Sequence, residues 1–167
     1  MIRIYPLHEK KSLYPILAYW SFNNWYLGRD VPFRYVLQEY RHRSDPGSLP
    51  YSFVACMDDL PVGMVSVKFN DMLNRPDLSP WLSALYVTPE YRNTGIGKLL
   101  ISAVLQDCQD NDIKRIFLFV DHRYRERLSD YYSKLGWVYL DEEKDSDGNA
   151  TRIYFYETGN RQVQGGR

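Results

Sequence analysis

Cysteine is scarce in this chain: Cys56 and Cys108 are the only two in 167 residues. That excludes a disulfide framework, and without a C-x-x-C spacing the common zinc and dithiol motifs go too. Charge of one sign is also lacking, with 21 lysines and arginines against 21 aspartates and glutamates. A balanced field gives no general attraction to nucleic acid or to anionic membranes, so neither is expected as a partner. Long apolar runs are missing, and nothing approaches the ~20 residues of a membrane span. The start, Met1-Ile2-Arg3-Ile4-Tyr5-Pro6, reaches His8, Glu9, Lys10 and Lys11 before the apolar core of a leader can form. These absences predict a reduced, cytoplasmic setting. What the chain does have is 15 tyrosines, 44% apolar residues and a length suited to one domain that buries roughly two-thirds of its unfolded surface.

Periodicity divides the chain into alternating elements. Ile2 and Ile4 alternate with polar neighbours as in a strand, and Leu13, Ile16, Leu17 and Trp20 recur at helical spacing. A second helix is predicted from Pro32 to about Arg43, ended by Ser44-Asp45-Pro46-Gly47. Tyr51 to Met57 and Val62 to Phe69 read as a hairpin across Asp58-Asp59-Leu60-Pro61. After a loop at Asn70 to Pro80 comes a strand at Trp81 to Val87, then an amphipathic helix carrying Ile96, Leu99, Leu100, Ala103 and Val104. Ile113 to Val120 is a buried strand, Leu128 to Leu135 a helix closed by Gly136, and Trp137 to Leu140 with Arg152 to Tyr156 a hairpin. The order predicts one α/β or α+β domain over residues 1–157, with a disordered tail at 158–167.

The segment that carries chemistry is Leu85-Tyr86-Val87-Thr88-Pro89-Glu90-Tyr91-Arg92-Asn93-Thr94-Gly95-Ile96-Gly97-Lys98-Leu99-Leu100, a strand leading through a short loop into a helix. The first amides of a helix lack intrahelical acceptors and carry partial positive charge, and Gly95 and Gly97 leave room for a phosphate to approach the backbone. A pyrophosphate suits such a cradle. A nucleotide P-loop would need Gly at position 92 and Ser or Thr after Lys98, where Arg92 and Leu99 stand. A dinucleotide fingerprint would need a third Gly where Leu100 stands.

Arg92-Asn93-Thr94-Gly95-Ile96-Gly97 resembles the acetyl-CoA loop of the Gcn5-related N-acetyltransferase (GNAT) superfamily, which reads Arg or Gln, x, x, Gly, x, Gly or Ala. A second segment, Tyr131-Tyr132-Ser133-Lys134-Leu135-Gly136-Trp137, is similar to that superfamily's aromatic, Tyr, x, Lys, x, Gly, aromatic stretch. The resemblance implies a mixed, mostly antiparallel sheet of about seven strands flanked by about four helices, with the strands at Trp81–Val87 and Ile113–Val120 splayed apart. It further implies an N-acetyltransferase that moves an acetyl group from acetyl-CoA to an amine by direct attack in a ternary complex, with no metal. Homodimers are common in the superfamily. The alternative is a coenzyme A-binding regulatory module that does not turn over.

Carried over position by position, the resemblance gives the pyrophosphate to amides from Arg92 through Asn93, Thr94, Gly95, Ile96 and Gly97 to Lys98, and the pantetheine arm to the backbone of Leu85, Tyr86 and Val87. Tyr132 takes the place of the tyrosine that protonates the departing thiolate, and the Leu85 amide can stabilise the oxyanion. The general base departs from the pattern, because Ser83 and Ala84 stand where many relatives place Glu. His122, Asp121, Asp71 and Asp77 are the replacements within reach in sequence. The superfamily's Asn before the tyrosine helix is also missing, and Arg123, Arg125 and Arg127 form a charge run that is either solvated or directed at the adenosine phosphate. Trp81, Trp25 and Phe22, with Trp20, are the aromatic candidates for an acceptor site.

Overall fold

The computed structural model describes residues 1–159. Its strands are β1 (Ile2–Pro6), β2 (Tyr51–Met57), β3 (Leu60–Lys68), β4 (Trp81–Val87), β5 (Arg115–Phe119), β6 (Val138–Lys144) and β7 (Ala150–Glu157). The helices are α1 (Tyr14–Ser21), α2 (Phe33–His42), α3 (Ile96–Asp110) and α4 (Arg125–Lys134). The seven strands form one mixed sheet, as expected, and their order in it is β1-β2-β3-β4-β5-β7-β6. β4 meets β5 in parallel through a single register pair, Trp81 opposite Phe117. The Phe117 amide extends that contact to the Pro80 carbonyl at 3.0 Å.

By contact the chain divides into two compact units. The first comprises Met1–Phe69 and Leu82–Val104; the second comprises Asn70–Trp81 and the chain from Leu105 onward. In the first unit α1 and α2 lie on one face of the β1–β2–β3 sheet and bury Leu17, Trp20, Val36 and Tyr40 against Val54, Cys56 and Met64. These residues alternate along the strands and recur at i, i+4 on α2, the two periods that place side chains on one face. Gly63 allows β3, β4 and α3 to close up: a Cβ there would stand 2.9 Å from the Tyr86 carbonyl oxygen and 3.2 Å from Leu100 Cδ1. Beyond Ser21 the helix widens into a π turn at Phe22–Tyr26, where the Asn23 and Asn24 side-chain amides donate to the carbonyls of Tyr19 and Trp20 at 2.9 and 2.7 Å. Such turns leave backbone acceptors short of partners, and the two asparagines supply them.

In the second unit Trp81, Phe117, Ile153 and Met72 form the core, with Leu78, Phe119, Leu140 and Phe155 around them. Several boundaries shift from the sequence reading. Pro32 caps α2 from outside the helix instead of opening it, because its backbone is extended. β3 begins at Leu60, two residues early, with Pro61 opposite Cys56 at a register shift that leaves its missing amide harmless. β6 and β7 run longer than the apolar residues indicate, since Asp141, Glu142 and Glu143 pair with Ile153, Arg152 and Thr151 on an exposed strand. Thr158, assigned to the tail by composition, is buried: its amide donates to Lys114 O at 3.0 Å and its hydroxyl to Ile113 O. The remainder of that expected tail, 160–167, lies outside the described residues. Among those described, no helix is long and apolar enough to cross a membrane.

Candidate functional site

The loop after β4 is held by its own backbone. The Thr88 amide donates to Val62 O at 2.9 Å, and a single 3-10 turn at Pro89–Tyr91 follows. The Arg92 side chain folds back, Nε donating to Val87 O at 3.0 Å with the guanidinium 5.7 Å from the Tyr86 ring. Thr94 Oγ1 donates to Tyr91 O at 2.5 Å. On either side of Thr94 the backbone is left-handed, at Asn93 (φ 60) and Gly95 (φ 88). Asn tolerates that region and Gly adopts it freely. The first helical bond is Leu99 N to Gly95 O at 3.1 Å, so the amides of Ile96, Gly97 and Lys98 have no acceptor within the helix.

Ile96 is buried and pins the helix start, whereas Arg92 to Gly95 and Lys98 are exposed. A Cβ built on Gly95 meets nothing within 4 Å. The loop therefore presents open space over a left-handed step and a row of unpaired amides at the positive end of a helix of 15 residues. A diphosphate fits that arrangement.

Leu85, Tyr86 and Val87 are half-buried on β4, and Tyr86 packs against Trp20 at 5.4 Å between ring centroids. One feature of this strand has no signal in the sequence: Ala84, in mid-strand, has φ 52. A left-handed residue there interrupts the extended backbone of the strand immediately before Leu85. Alanine does not favour this conformation, and its cost of about 1–2 kcal/mol must be met by the surrounding structure.

The aromatic candidates separate. Phe22 and Trp25 are half-buried on the π turn in the first unit, Phe22 edge-on to Phe33 at 5.5 Å. Trp81 is fully buried, its indole Nε1 donating to Leu78 O at 2.7 Å and its rings against Phe117 and Phe119. Its role is in the core of the second unit, and it offers no surface to an acceptor.

Tyr132 also falls in the second unit. It is 7% exposed on α4, edge-on to Tyr131 at 5.2 Å and to Trp137 at 5.9 Å. Burial, with Tyr131 beside it, pushes its phenol well above the usual tyrosine range, so it stays protonated at neutral pH. His122 lies in the short turn before α4, with Nδ1 3.1 Å from Asp145 Oδ2. Asp121 is held below the ordinary carboxylate range: burial raises it, but hydrogen bonds from the Arg123 side chain and amide outweigh that. Asp77 is tied to Arg75 by bonds of 3.1 and 3.0 Å and is not free to act as a base. Among the charge run, Arg123 pairs with Asp121, Arg125 lies 3.4 Å from Glu126, and Arg127 stands 4.9 Å from the Tyr124 ring centroid. Among the described residues no cluster of His, Cys, Asp and Glu is arranged to hold a metal.

A family model for the acetyltransferase (GNAT) family matches residues 10–137. The chain belongs to that family. The match takes in α1, α2, β2 to β5, the cradle and α4, and with them both sequence motifs, and leaves out β1, β6 and β7. No curated protein sequence matches. Solved structures of acetyltransferases share the fold: an aminoglycoside 6'-N-acetyltransferase complexed with coenzyme A, at TM-score 0.71 and 13% identity over 96% of this chain and 98% of that one; an N-acetyltransferase from Staphylococcus aureus Mu50, at 0.69 and 14% over 96% and 99%; and an acetyltransferase of the GNAT family from the same source, at 0.65 and 20% over 95% and 99%.

Proposed function

We propose that this GNAT chain is an N-acetyltransferase that moves an acetyl group from acetyl-CoA to an amine in a ternary complex. The observation that carries the reading is the cradle at Arg92–Lys98: left-handed Asn93 and Gly95, open space above Gly95, and the unpaired amides of Ile96, Gly97 and Lys98. Bound acetyl-CoA supplies a thioester carbonyl. The diphosphate sits on the cradle amides, and the Leu85–Val87 backbone pairs with the pantetheine arm. The turn at Ala84 aims the Leu85 amide at the carbonyl oxygen, where charge develops during attack. Tyr132, kept protonated by burial, is the proton donor to the departing sulfur. Neither cysteine falls in the two motifs, and both are buried, so neither takes part.

Calorimetry with acetyl-CoA tests the cradle. Gly95→Glu puts a carboxylate, on a residue strained at φ 88, where the diphosphate belongs. Binding that is tight in the native protein and lost in a folded Gly95→Glu variant supports the reading; a native protein that ignores acetyl-CoA removes it.

A further inference from the structure

In the first unit the 3-10 segment Leu7–Leu13, the start of α1 and one face of α2 enclose an open groove of about 670 Å³. From α2 it is lined by Arg34, Gln38, Arg41 and His42, which recur at i, i+4, i+7 and i+8 and so share a face. Lys11, Tyr14 and Asp45 also line it. The one carboxylate of the groove, Asp45, lies 3.3 Å from Lys11 Nζ. Glu39, the only acid in α2, is turned to Arg43 at 3.5 Å. Among the described residues the guanidinium groups of Arg34 and Arg41 and the His42 ring have no hydrogen-bond or ion-pair partner. Lys11, Arg34 and Arg41 therefore set three permanent cations against one carboxylate. Arg41 and His42 lie in the last turn of α2, where the negative end of the helix dipole favours cations. Arg34 has no such reason. It lies in the first turn, at the positive end, and no acidic residue in that turn offsets it. A cation set there costs helix stability unless an anion from outside the chain balances it.

We propose that this groove is an anion site distinct from the cradle, and that it takes a small molecule bearing a phosphate or diphosphate group. Arg34 and Arg41 hold the phosphate oxygens, since a guanidinium presents paired donors that match them. Gln38, one turn from Arg34 on the same face, adds an uncharged donor. The half-buried Tyr14 and Leu37 supply the apolar part of the lining, against which the organic portion of the ligand rests. The volume is that of a small-molecule site. Cations gathered in so small a space call for an anion of high charge density, which a diphosphate has and a peptide with spaced carboxylates lacks. The site does not depend on the acyl-transfer reading, because none of its residues belongs to the cradle or to the Tyr132 segment.

The test is a titration of the full chain with sodium pyrophosphate, by calorimetry and by amide NMR. In the native protein the signals of Arg34 to His42 should move with added pyrophosphate. The Gly95→Glu variant, whose cradle repels anions, should still bind a single pyrophosphate, and adding Arg34→Gln and Arg41→Gln to it should weaken that binding by about 10-fold or more. The same pair of substitutions in the otherwise native chain should abolish the NMR shifts over α2, a readout that holds whether or not Gly95→Glu folds. Arg34→Glu should remove binding and at the same time raise the melting temperature, because it puts an acid at the positive end of the helix. An arginine kept for the fold would do the opposite. Unmoved signals over α2, an affinity indifferent to both arginines, or an Arg34→Glu protein less stable than the native one overturns the site. Tighter binding of pentaglutamate than of pyrophosphate through the same arginines overturns the phosphate assignment in favour of an acidic peptide.

Discussion

Tyr132 and Cys108 are both buried acids, but with different uses. The Tyr132 phenol is raised by burial among Tyr131 and Trp137, which suits a donor that must arrive protonated. Tyr132→Phe keeps the rings and removes the proton, so kcat should fall by about 100-fold or more with the calorimetric Kd for acetyl-CoA unchanged. Cys108, on α3, is pushed up from 9.0 to about 12, by burial first and Asp107 second. A group whose folded pKa lies above its unfolded value adds stability below the unfolded value, and that stability is lost as pH rises toward the folded one. The native protein should therefore lose stability between pH 9.0 and about 12 more steeply than Cys108→Ala, as urea titrations at several pH values will record. At neutral pH neither buried cysteine should react with a disulfide reagent until the chain unfolds.

Among the elements, β4 is the one under strain. Its first residue, Trp81, is a core side chain, its middle residue, Ala84, is left-handed, and its last, Val87, holds Arg92 through a carbonyl. A β-branched residue resists positive φ more than alanine does. Ala84→Val should destabilise the fold by more than about 1 kcal/mol in urea unfolding and lower kcat more than acetyl-CoA affinity, because it disturbs the Leu85 amide and spares the cradle. A loss of stability with full activity would detach the strand's turn from catalysis. The helix that follows needs no such strain: α3 is already legible from Ile96, Leu100 and Val104, all buried.

For the whole molecule, a ligand that binds the folded state alone raises stability by about 2.7 kcal/mol at 100 times Kd. In a chain of this length that corresponds to a melting temperature higher by about 5–10 °C with acetyl-CoA. Gly95→Glu should show no such shift, and native protein without one would remove the ligand rather than the fold. Net charge of zero leaves the cradle as a local feature, built from backbone amides and not from a basic surface.

Order of elements, amphipathic faces and the cradle loop were legible in the sequence, because each rests on local spacing: period two on strands, 3.6 on helices, glycine where the backbone is left-handed; the Tyr132 segment stood out by its resemblance to the superfamily's motif. What tertiary structure alone decided involves residues distant in the chain or conformations their type does not favour. Trp81 looks like any aromatic beside a site, and only the packing of Phe117 and Phe119 around it makes it core. Ala84 carries no mark of a left-handed residue, since the strain is imposed by its surroundings. Asp145 reads as a hairpin turn, and its aim at His122 arises because β7 pairs with β5, folding a turn 23 residues away back onto the end of that strand.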